Sequence, residues 1–175
     1  MKRYPKEWER HETLRDGARV FVRPLKPEDR DLYPDFLSEV TPEDLRLRFF
    51  AAMRELDPEL ISKLVNLDYE NAMAFVAIEE ETGKLLGVVR LHFQNHERGE
   101  YAVIVRSRLK GHGLGWLLMQ RIIEYARAKK LKQIHGQVLS ENTTMLAMCV
   151  ELGFHVADDR EASGIKIVTL DLEPA

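Results

Sequence analysis

The chain has 175 residues, of which 45% are hydrophobic and 31% are charged, and its formal net charge is -3. This length and balance predict one ordinary domain with a sizeable core. The negative net charge argues against a nucleic-acid partner, no apolar stretch approaches membrane-spanning length, and the single cysteine, Cys149, excludes an internal disulfide. Because the N-terminus lacks the apolar core of a signal peptide, we expect a cytoplasmic protein with no membrane partner.

Residues 1–18 are charged and weakly patterned, with Trp8 as the only large anchor, so we expect an N-terminal arm or linker remnant before a domain at residues 19–172. In its first half the patterning predicts a strand at 19–25, a helix within 27–40 with an interruption at Pro34, and helices from 42 and at 58–64. In its second half it predicts strands at 73–78, 85–93 and 100–105, a helix at 113–129, a strand at 133–139, a helix at 142–152, and strands at 154–157 and 165–172. The short turns between the three central strands make those strands antiparallel. We therefore predict a mixed α/β (α+β) domain whose largely antiparallel sheet carries helices on both faces.

A glycine-rich turn joins the predicted strand at 100–105 to the helix at 113–129. Gly111, Gly113 and Gly115 alternate with other residues where this helix begins. Such a turn leaves several backbone N–H groups unpaired, and the helix dipole adds partial positive charge at the same place. The turn therefore predicts a binding site for a phosphate or a diphosphate.

Two familiar phosphate-binding loops do not match this turn. A P-loop ends in Gly-Lys-Ser/Thr, whereas Gly115 is followed by Trp116. A dinucleotide fingerprint has the spacing Gly-x-Gly-x-x-Gly and follows a parallel strand, whereas the strands before this turn look like hairpins.

The loop Lys110-Gly111-His112-Gly113-Leu114-Gly115 resembles the acetyl-CoA signature of the GNAT N-acetyltransferase superfamily, Arg/Gln-x-x-Gly-x-Gly/Ala, with Lys110 where Arg or Gln is usual. The segment from Asn142 to Phe154, which ends in Leu-Gly-Phe, is similar to a second GNAT motif, and the order of predicted elements agrees with that fold. The resemblance implies acetyl-CoA as co-substrate, held mainly by backbone amides, with no metal.

Three further segments are similar to the catalytic domain of bacterial Pat-type protein lysine acetyltransferases over about residues 4–172. They are Leu14-Arg15-Asp16-Gly17, Leu45-Arg46-Leu47-Arg48-Phe49-Phe50, and Asp68-Tyr69 with Met73-Ala74-Phe75-Val76-Ala77. This resemblance implies that the acceptor is a lysine on a protein, typically an AMP-forming acyl-CoA synthetase.

The expected cofactor contacts fall into three groups. In the loop Lys110 to Trp116, the amides of Gly111, Gly113, Gly115 and Trp116 should face the diphosphate, and His112 should contribute its amide. The edge formed by Val103, Ile104 and Val105 should pair with the pantetheine chain like an added strand, and an amide there could polarise the thioester carbonyl. Asn142 could hydrogen-bond the cofactor, as the resemblance implies, or cap its own helix. The full set of candidates is Val103, Ile104, Val105, Lys110, Gly111, His112, Gly113, Leu114, Gly115, Trp116 and Asn142.

Transfer to an amine also needs a base, because a free lysine has a pKa near ~10.4. Glu100 opens the strand that leads to the glycine turn, on the same face as Ala102 and Ile104 by its period of two. Apolar neighbours should make this carboxylate a better base than an exposed one, and the Pat resemblance implies the same role; a solvated acid at a strand end is the alternative.

Cys149 stands where many GNAT enzymes carry a tyrosine that can protonate the leaving group. We interpret it as a small buried side chain on an apolar helix face, which rules out a tyrosine acid at this position. The thiolate then leaves unaided or takes a proton from water.

Candidates for the acceptor groove are Arg46, Arg48, Asp68, Tyr69 and Arg90, with Asp68 as a group that could steer a cationic lysine. Structural roles, such as surface ion pairs and charges on a helix face, explain these residues at least as well. The chemistry fits a small amine as well as a protein lysine. A small-molecule amine N-acetyltransferase and a non-catalytic acyl-CoA-sensing module therefore stay open as alternatives.

Overall fold

A computed structural model describes residues 3–49 and 58–172, so Phe50, the last residue of one motif above, lies outside the described residues. The strands are β1 (Arg10–Thr13), β2 (Arg19–Pro24), β3 (Ala72–Glu79), β4 (Leu85–Phe93), β5 (Arg98–Val105), β6 (Gln133–Leu139), β7 (His155–Asp158) and β8 (Ile165–Asp171). The helices are α1 (Tyr33–Ser38), α2 (Pro42–Phe49), α3 (Pro58–Val65), α4 (Leu114–Ala128) and α5 (Thr143–Leu152). Short 3₁₀ turns span Lys6–Trp8, Pro27–Leu32 and Ser107–Leu109. No helix of the described segments is both long and apolar enough to cross a membrane.

The described strands form one sheet in the order β1-β2-β3-β4-β5-β6-β8-β7. Every neighbouring pair is antiparallel except β5 and β6, which run parallel. The last two strands pair as the expected hairpin. The predicted mixed and largely antiparallel sheet is thus confirmed.

Helices cover both faces of the sheet, as the sequence predicts. On one face α4 and α5 pack on alternate residues of the central strands, with Leu118, Ile122 and Phe75 fully buried. On the other face α1 to α3 bury a second cluster around Phe36 and Leu45. The alternation that the sequence shows in β3 to β5 therefore divides the apolar side chains between two cores.

The parallel pair β5–β6 separates halfway along its length. The two strands are paired only from Arg98–Glu100 to Gln133–His135, although each continues beyond that point. The ring of Tyr101 lies over Gly136, where a Cβ atom would come within 2.4 Å of Tyr101 Cε1. The aromatic ring therefore acts as a wedge between the two strands, and the cleft described below opens beyond it.

The N-terminal segment is part of the folded domain, which corrects the expectation of an arm. Residues 10–13 form β1 at the sheet edge, paired with β2. The strand was not visible in the sequence because Arg10–Thr13 is exposed along most of its length and carries no apolar alternation. The expected anchor, Trp8, packs against Phe75 and Tyr125 at ring-centroid distances of 6.1 and 5.1 Å.

The helix predicted within residues 27–40 is divided into two shorter elements near Pro34, where an interruption was expected. A 3₁₀ turn over Pro27–Leu32 is followed by α1, which places Pro34 in the first turn of a new helix, where its missing N–H costs no hydrogen bond. The predicted start at Pro42 is confirmed, with Thr41 Oγ1 accepting a hydrogen bond from the Asp44 amide at 3.1 Å.

Arg106, which follows β5, ties α1 to the end of the sheet. Its guanidinium is fully buried and donates to the Leu85 carbonyl at 2.7 Å, to Asp35 Oδ2 at 2.8 Å and to Glu39 Oε2. Hydrogen bonds from Arg106 hold the pKa of both carboxyls below its usual range.

Candidate active site

A cleft of about 910 Å³ opens where β5 and β6 separate. Its walls are the second half of β5, the glycine turn, the start of α4 and one face of α5. The candidates from the sequence that line it are Glu100, Val103, Ile104, Val105, Lys110, Gly111, Gly113, Gly115, Trp116 and Asn142. The structure therefore brings these residues together around one space. Of the cofactor candidates, His112 and Leu114 are the two that do not line it.

The glycine turn presents a group of free amides to this cleft. Gly111 and Gly113 have φ angles of 84° and 90°, in the left-handed region that glycine adopts without strain. Within the described residues, no backbone carbonyl accepts from the amides of Gly111, Gly113, Gly115 or Trp116. These four donors at the N-terminus of α4 can hold a diphosphate, as the sequence predicts for the turn.

His112 and Leu114 contribute to the turn in another way. The amide of His112 donates to the Leu109 carbonyl at 3.1 Å. This bond corrects the expectation that His112 offers its amide to a ligand, because the tight turn that exposes the glycine amides uses it internally. The side chain of Leu114 is fully buried beneath the turn and anchors α4 in the core.

Lys110 is neutralised by the protein. Its ammonium lies 2.7 Å from Asp44 Oδ1 on α2, and the Ser107 hydroxyl also hydrogen-bonds Asp44. The amide of Thr41 donates to Ser107 Oγ at 2.9 Å. These contacts fasten the start of α2 to the glycine turn, so the side chain of Lys110 orients the loop.

Glu100 lies at the last paired position between β5 and β6, opposite His135 on β6 and His92 on β4. It shares the cleft with Ala102 and Ile104, and the residues that alternate with them on β5 line the cleft as well. Glu100 is exposed, however, which differs from the expected apolar surroundings. The difference arises because the strands separate at this residue and leave it open to solvent.

A basic group on this side of the cleft is Arg48 of α2, which also lines a small adjoining cavity with Arg90 and Tyr33. Burial and the positive charge of Arg90 lower the pKa of Arg48 to about 10, while the Glu100 carboxylate acts in the opposite direction. An electrostatic interaction thus couples Arg48 to Glu100 across the cleft.

The remaining acceptor candidates support local structure. Arg46 pairs with Glu43 at 3.0 Å and with Glu141 at 2.6 Å. Asp68 accepts the amides of its own turn, and the Tyr69 hydroxyl donates to the Leu25 carbonyl at 2.5 Å. Arg90 donates to the Leu64 carbonyl. Of the five acceptor candidates, Arg48 alone lines the main cleft within the described part of the chain.

Cys149 is fully buried, which confirms its interpretation as a core side chain. Its Sγ lies 3.2 Å from the Tyr101 hydroxyl, and burial raises the pKa of both groups. The thiol therefore stays protonated at neutral pH. A tyrosine hydroxyl is thus present beside position 149, although it comes from β5 and not from α5.

Asn142 caps α5, with its Oδ1 accepting the Met145 amide at 3.2 Å, and it also lines the cleft. The capping role is therefore realised, and the side-chain NH₂ group is left for a ligand in the cleft.

Arg15 is a cleft residue that the sequence did not single out. It lies in the turn between β1 and β2, and its Nε is 3.5 Å from the position that a Cβ atom on Gly113 would occupy. The motif Leu14-Arg15-Asp16-Gly17 was the available signal. That motif does not show where the turn between β1 and β2 lies relative to α4, so the sequence alone could not place Arg15 beside Gly113.

Comparison with known proteins identifies the family of this chain. The model of the acetyltransferase (GNAT) family matches residues 31–154. An acetyltransferase from Pseudomonas aeruginosa is 34% identical over 146 residues, which are 82% of this chain and 78% of that protein. The chain belongs to the GNAT family and is an acetyl-CoA-dependent N-acetyltransferase.

Solved structures show the same fold. The GNAT domain of S. lividans PAT has a TM-score of 0.90 and 23% identity, covering 97% of this chain and 100% of that domain. Spermidine N-acetyltransferase from Vibrio cholerae, solved with CoA and spermine, has a TM-score of 0.69 and 19% identity, covering 87% of this chain and 95% of that protein. The predicted family and fold are confirmed.

Proposed function

We propose that this acetyltransferase moves an acetyl group from acetyl-CoA directly to the side-chain amine of a lysine on a protein, with Glu100 as the general base. The observation that carries the proposal is the meeting of three features in one cleft. These are the free amides at the start of α4, the edge of β5 beyond its pairing with β6, and the exposed carboxylate of Glu100, the last residue of β5 that is paired with β6.

The cleft residues suit the two polar parts of the cofactor. The amides of Gly111, Gly113, Gly115 and Trp116 and the dipole of α4 favour a diphosphate. Val103 to Val105 offer a strand edge that can hydrogen-bond the amides of a pantetheine chain, as an added strand would. When bound, acetyl-CoA supplies the activated acyl group.

Glu100 has the access that a base for a protein lysine needs. A lysine ammonium is protonated near neutral pH, since its ordinary pKa is about 10.4. Because Glu100 is exposed at the mouth of the cleft, its carboxylate can take this proton directly or through one water molecule.

The protein acceptor is supported by two observations. The likeness to the GNAT domain of S. lividans PAT extends over 97% of the chain, including the N-terminal hairpin. The Pat-like segments of the sequence also contribute Arg15 and Arg48 to the cleft. By the same resemblance we propose an AMP-forming acyl-CoA synthetase as the partner, and the cytoplasmic location stays a prediction.

Glu100→Gln tests the base. We expect kcat to fall about 100-fold or more, because the amine is no longer deprotonated, with no change in the Kd of CoA. Glu97→Gln is the matched control, since Glu97 is exposed and pairs with Lys132 at 3.2 Å, outside the cleft. Steady-state kinetics and calorimetry provide both values, and equal turnover of the Glu100→Gln variant and the unaltered chain would remove Glu100 from the mechanism.

The acceptor is tested by incubating the chain with labelled acetyl-CoA and either a bacterial lysate or a polyamine such as spermidine. Labelled lysines on an acyl-CoA synthetase, mapped by mass spectrometry, are the expected result. Labelling of the polyamine alone would establish the small-molecule alternative. Tight binding of CoA without turnover on any acceptor would establish a sensing module.

A further inference from the structure

The cations of the cleft are not equivalent. Arg15, Arg48 and Lys110 line it. Lys110 forms an ion pair with Asp44. Arg48 interacts electrostatically with Glu100 and Arg90. Within the described residues, no carboxylate forms an ion pair with Arg15, although its side chain is exposed to the cleft. Arg15 is therefore a cation beside the glycine turn that is not neutralised by a carboxylate of the described residues.

The turn that carries Arg15 is well ordered by its own hydrogen bonds. The Leu14 amide donates to the Ala18 carbonyl at 2.8 Å, and the Gly17 amide donates to the Leu14 carbonyl at 2.9 Å. Asp16 Oδ1 accepts the Ala18 amide at 2.9 Å, so the only acid in the turn is occupied locally. Leu14 is buried in the main core. The backbone that holds Arg15 is thus fixed relative to α4.

The side chain of Arg15 points to the start of α4. Its Nε and Cζ lie 3.5 and 3.9 Å from the position of a Cβ on Gly113, the N-cap residue of that helix. Gly113 belongs to the glycine turn, whose amides have no backbone acceptor within the described residues. A planar guanidinium beside several unpaired N–H donors forms a surface of positive potential that matches the oxygens of a diphosphate.

We infer that Arg15 binds the diphosphate of acetyl-CoA, so that the N-terminal hairpin completes the cofactor site; this inference rests on the proposed placement of acetyl-CoA in the cleft. The guanidinium adds a charged donor to the free amides of the glycine turn. Lys110, at the position of the family's usual Arg or Gln, forms an ion pair with Asp44. Arg15 then supplies the positive charge that the diphosphate site needs.

The test measures the Kd of CoA and of dephospho-CoA, which lacks the 3′-phosphate, by calorimetry for the unaltered chain, Arg15→Gln and Arg15→Lys. Removal of the guanidinium should raise the Kd of both ligands by about tenfold or more, because a charge-assisted hydrogen bond is lost. The lysine variant should recover part of the affinity, and added salt should reduce the difference. Arg19→Gln is the matched control, since Arg19 lies in the same hairpin and pairs with Glu80 at 3.2 Å, so its Kd should not change.

Several outcomes would overturn the inference. Equal Kd values for the unaltered chain and the Arg15→Gln variant, with CoA bound by both, would reject Arg15 alone and leave the proposed function intact. A loss seen with CoA but not with dephospho-CoA would assign Arg15 to the 3′-phosphate and reject the diphosphate. If the unaltered chain binds neither ligand, the proposed function fails, and this inference fails with it.

Discussion

Cys149 and Tyr101 meet in the interior at the point where the family motif departs from its usual tyrosine. The thiol and the hydroxyl are 3.2 Å apart, and the ring of Phe154 packs on Tyr101 at a centroid distance of 5.7 Å. Both polar atoms are buried and each is the partner of the other. The small side chain at position 149 is thus matched to a large one on β5, and the two residues fill one space together.

This matching predicts the result of restoring the family's tyrosine. Cys149→Tyr should destabilise the fold by about 1–3 kcal/mol, because the extra ring meets a closely packed core. It should also fail to raise turnover, since the ring has no room to reach the cleft. Urea unfolding measures the first effect and steady-state kinetics the second.

Cys149→Ser is the matched control, because serine is close to cysteine in volume and keeps a hydrogen bond to Tyr101. It should lower the free energy of unfolding by less than Cys149→Tyr does. A Cys149→Tyr variant as stable as the unaltered chain would show that the interior at this point is not closely packed.

At the scale of elements, the separation of β5 from β6 creates the site. The wedge is the ring of Tyr101 lying on the bare backbone of Gly136. Glycine is required there by close approach of the ring and not by its backbone angles, since Gly136 is not among the glycines with positive φ.

Gly136→Ala should therefore destabilise the fold by about 1–3 kcal/mol, because its Cβ would lie 2.4 Å from Tyr101 Cε1 and the buried ring cannot move aside. Gly115→Ala is the control, since its Cβ would meet Met148 only at 3.9 Å. The free energy of unfolding of that variant should equal that of the unaltered chain or be higher by up to about 0.5–1 kcal/mol, because alanine favours a helix more than glycine does. Urea unfolding compares the two, and an equal effect of both substitutions would reject the wedge.

At the scale of the whole molecule, carboxylates held by Arg106 and by backbone amides link stability to pH. The pKa of Asp35 and of Glu39 is lowered by hydrogen bonds from Arg106, and that of Asp68 by the amides of Asn71 and Glu70. In the unfolded chain these groups titrate near about 3.9 for Asp and about 4.3 for Glu, so the unfolded chain binds protons first. Their stabilisation is complete above those values and is lost as the pH falls through the lower folded pKa.

We therefore expect the free energy of unfolding to fall as the pH drops below about 4.3. The double variant Asp35→Asn, Glu39→Gln should be less stable at pH 7 and should lose less stability on acidification, with the remaining acid slope from groups such as Asp68. Urea unfolding between neutral and acid pH measures both slopes. His135, whose pKa is lowered by burial, contributes a separate loss below about pH 6.5 in both proteins. Identical acid slopes in the two proteins would show that Arg106 does not carry this dependence.

Most of the fold was predictable because its signals are local. The helix starts at Pro42 and Pro58, the alternating strands and the end of α5 at Gly153 each depend on a few neighbouring residues. β1 was missed because an edge strand exposed on both faces has no alternation to detect. The interruption expected at Pro34 agrees with the start of α1, but the segment before it is a 3₁₀ turn and not an α-helix.

By itself the sequence determined the family, most of the order of elements and the glycine turn at the start of α4, because a glycine pattern at a helix start specifies its free amides through backbone geometry alone. Only the tertiary structure decided that β5 and β6 separate after Glu100 and that this residue is exposed. It also decided that Lys110 forms an ion pair with Asp44 and that the side chain of Arg15 lies beside Gly113. These features depend on contacts between segments far apart in the chain. Such contacts are set by how the two cores pack against the sheet, and they leave no periodic trace in the sequence.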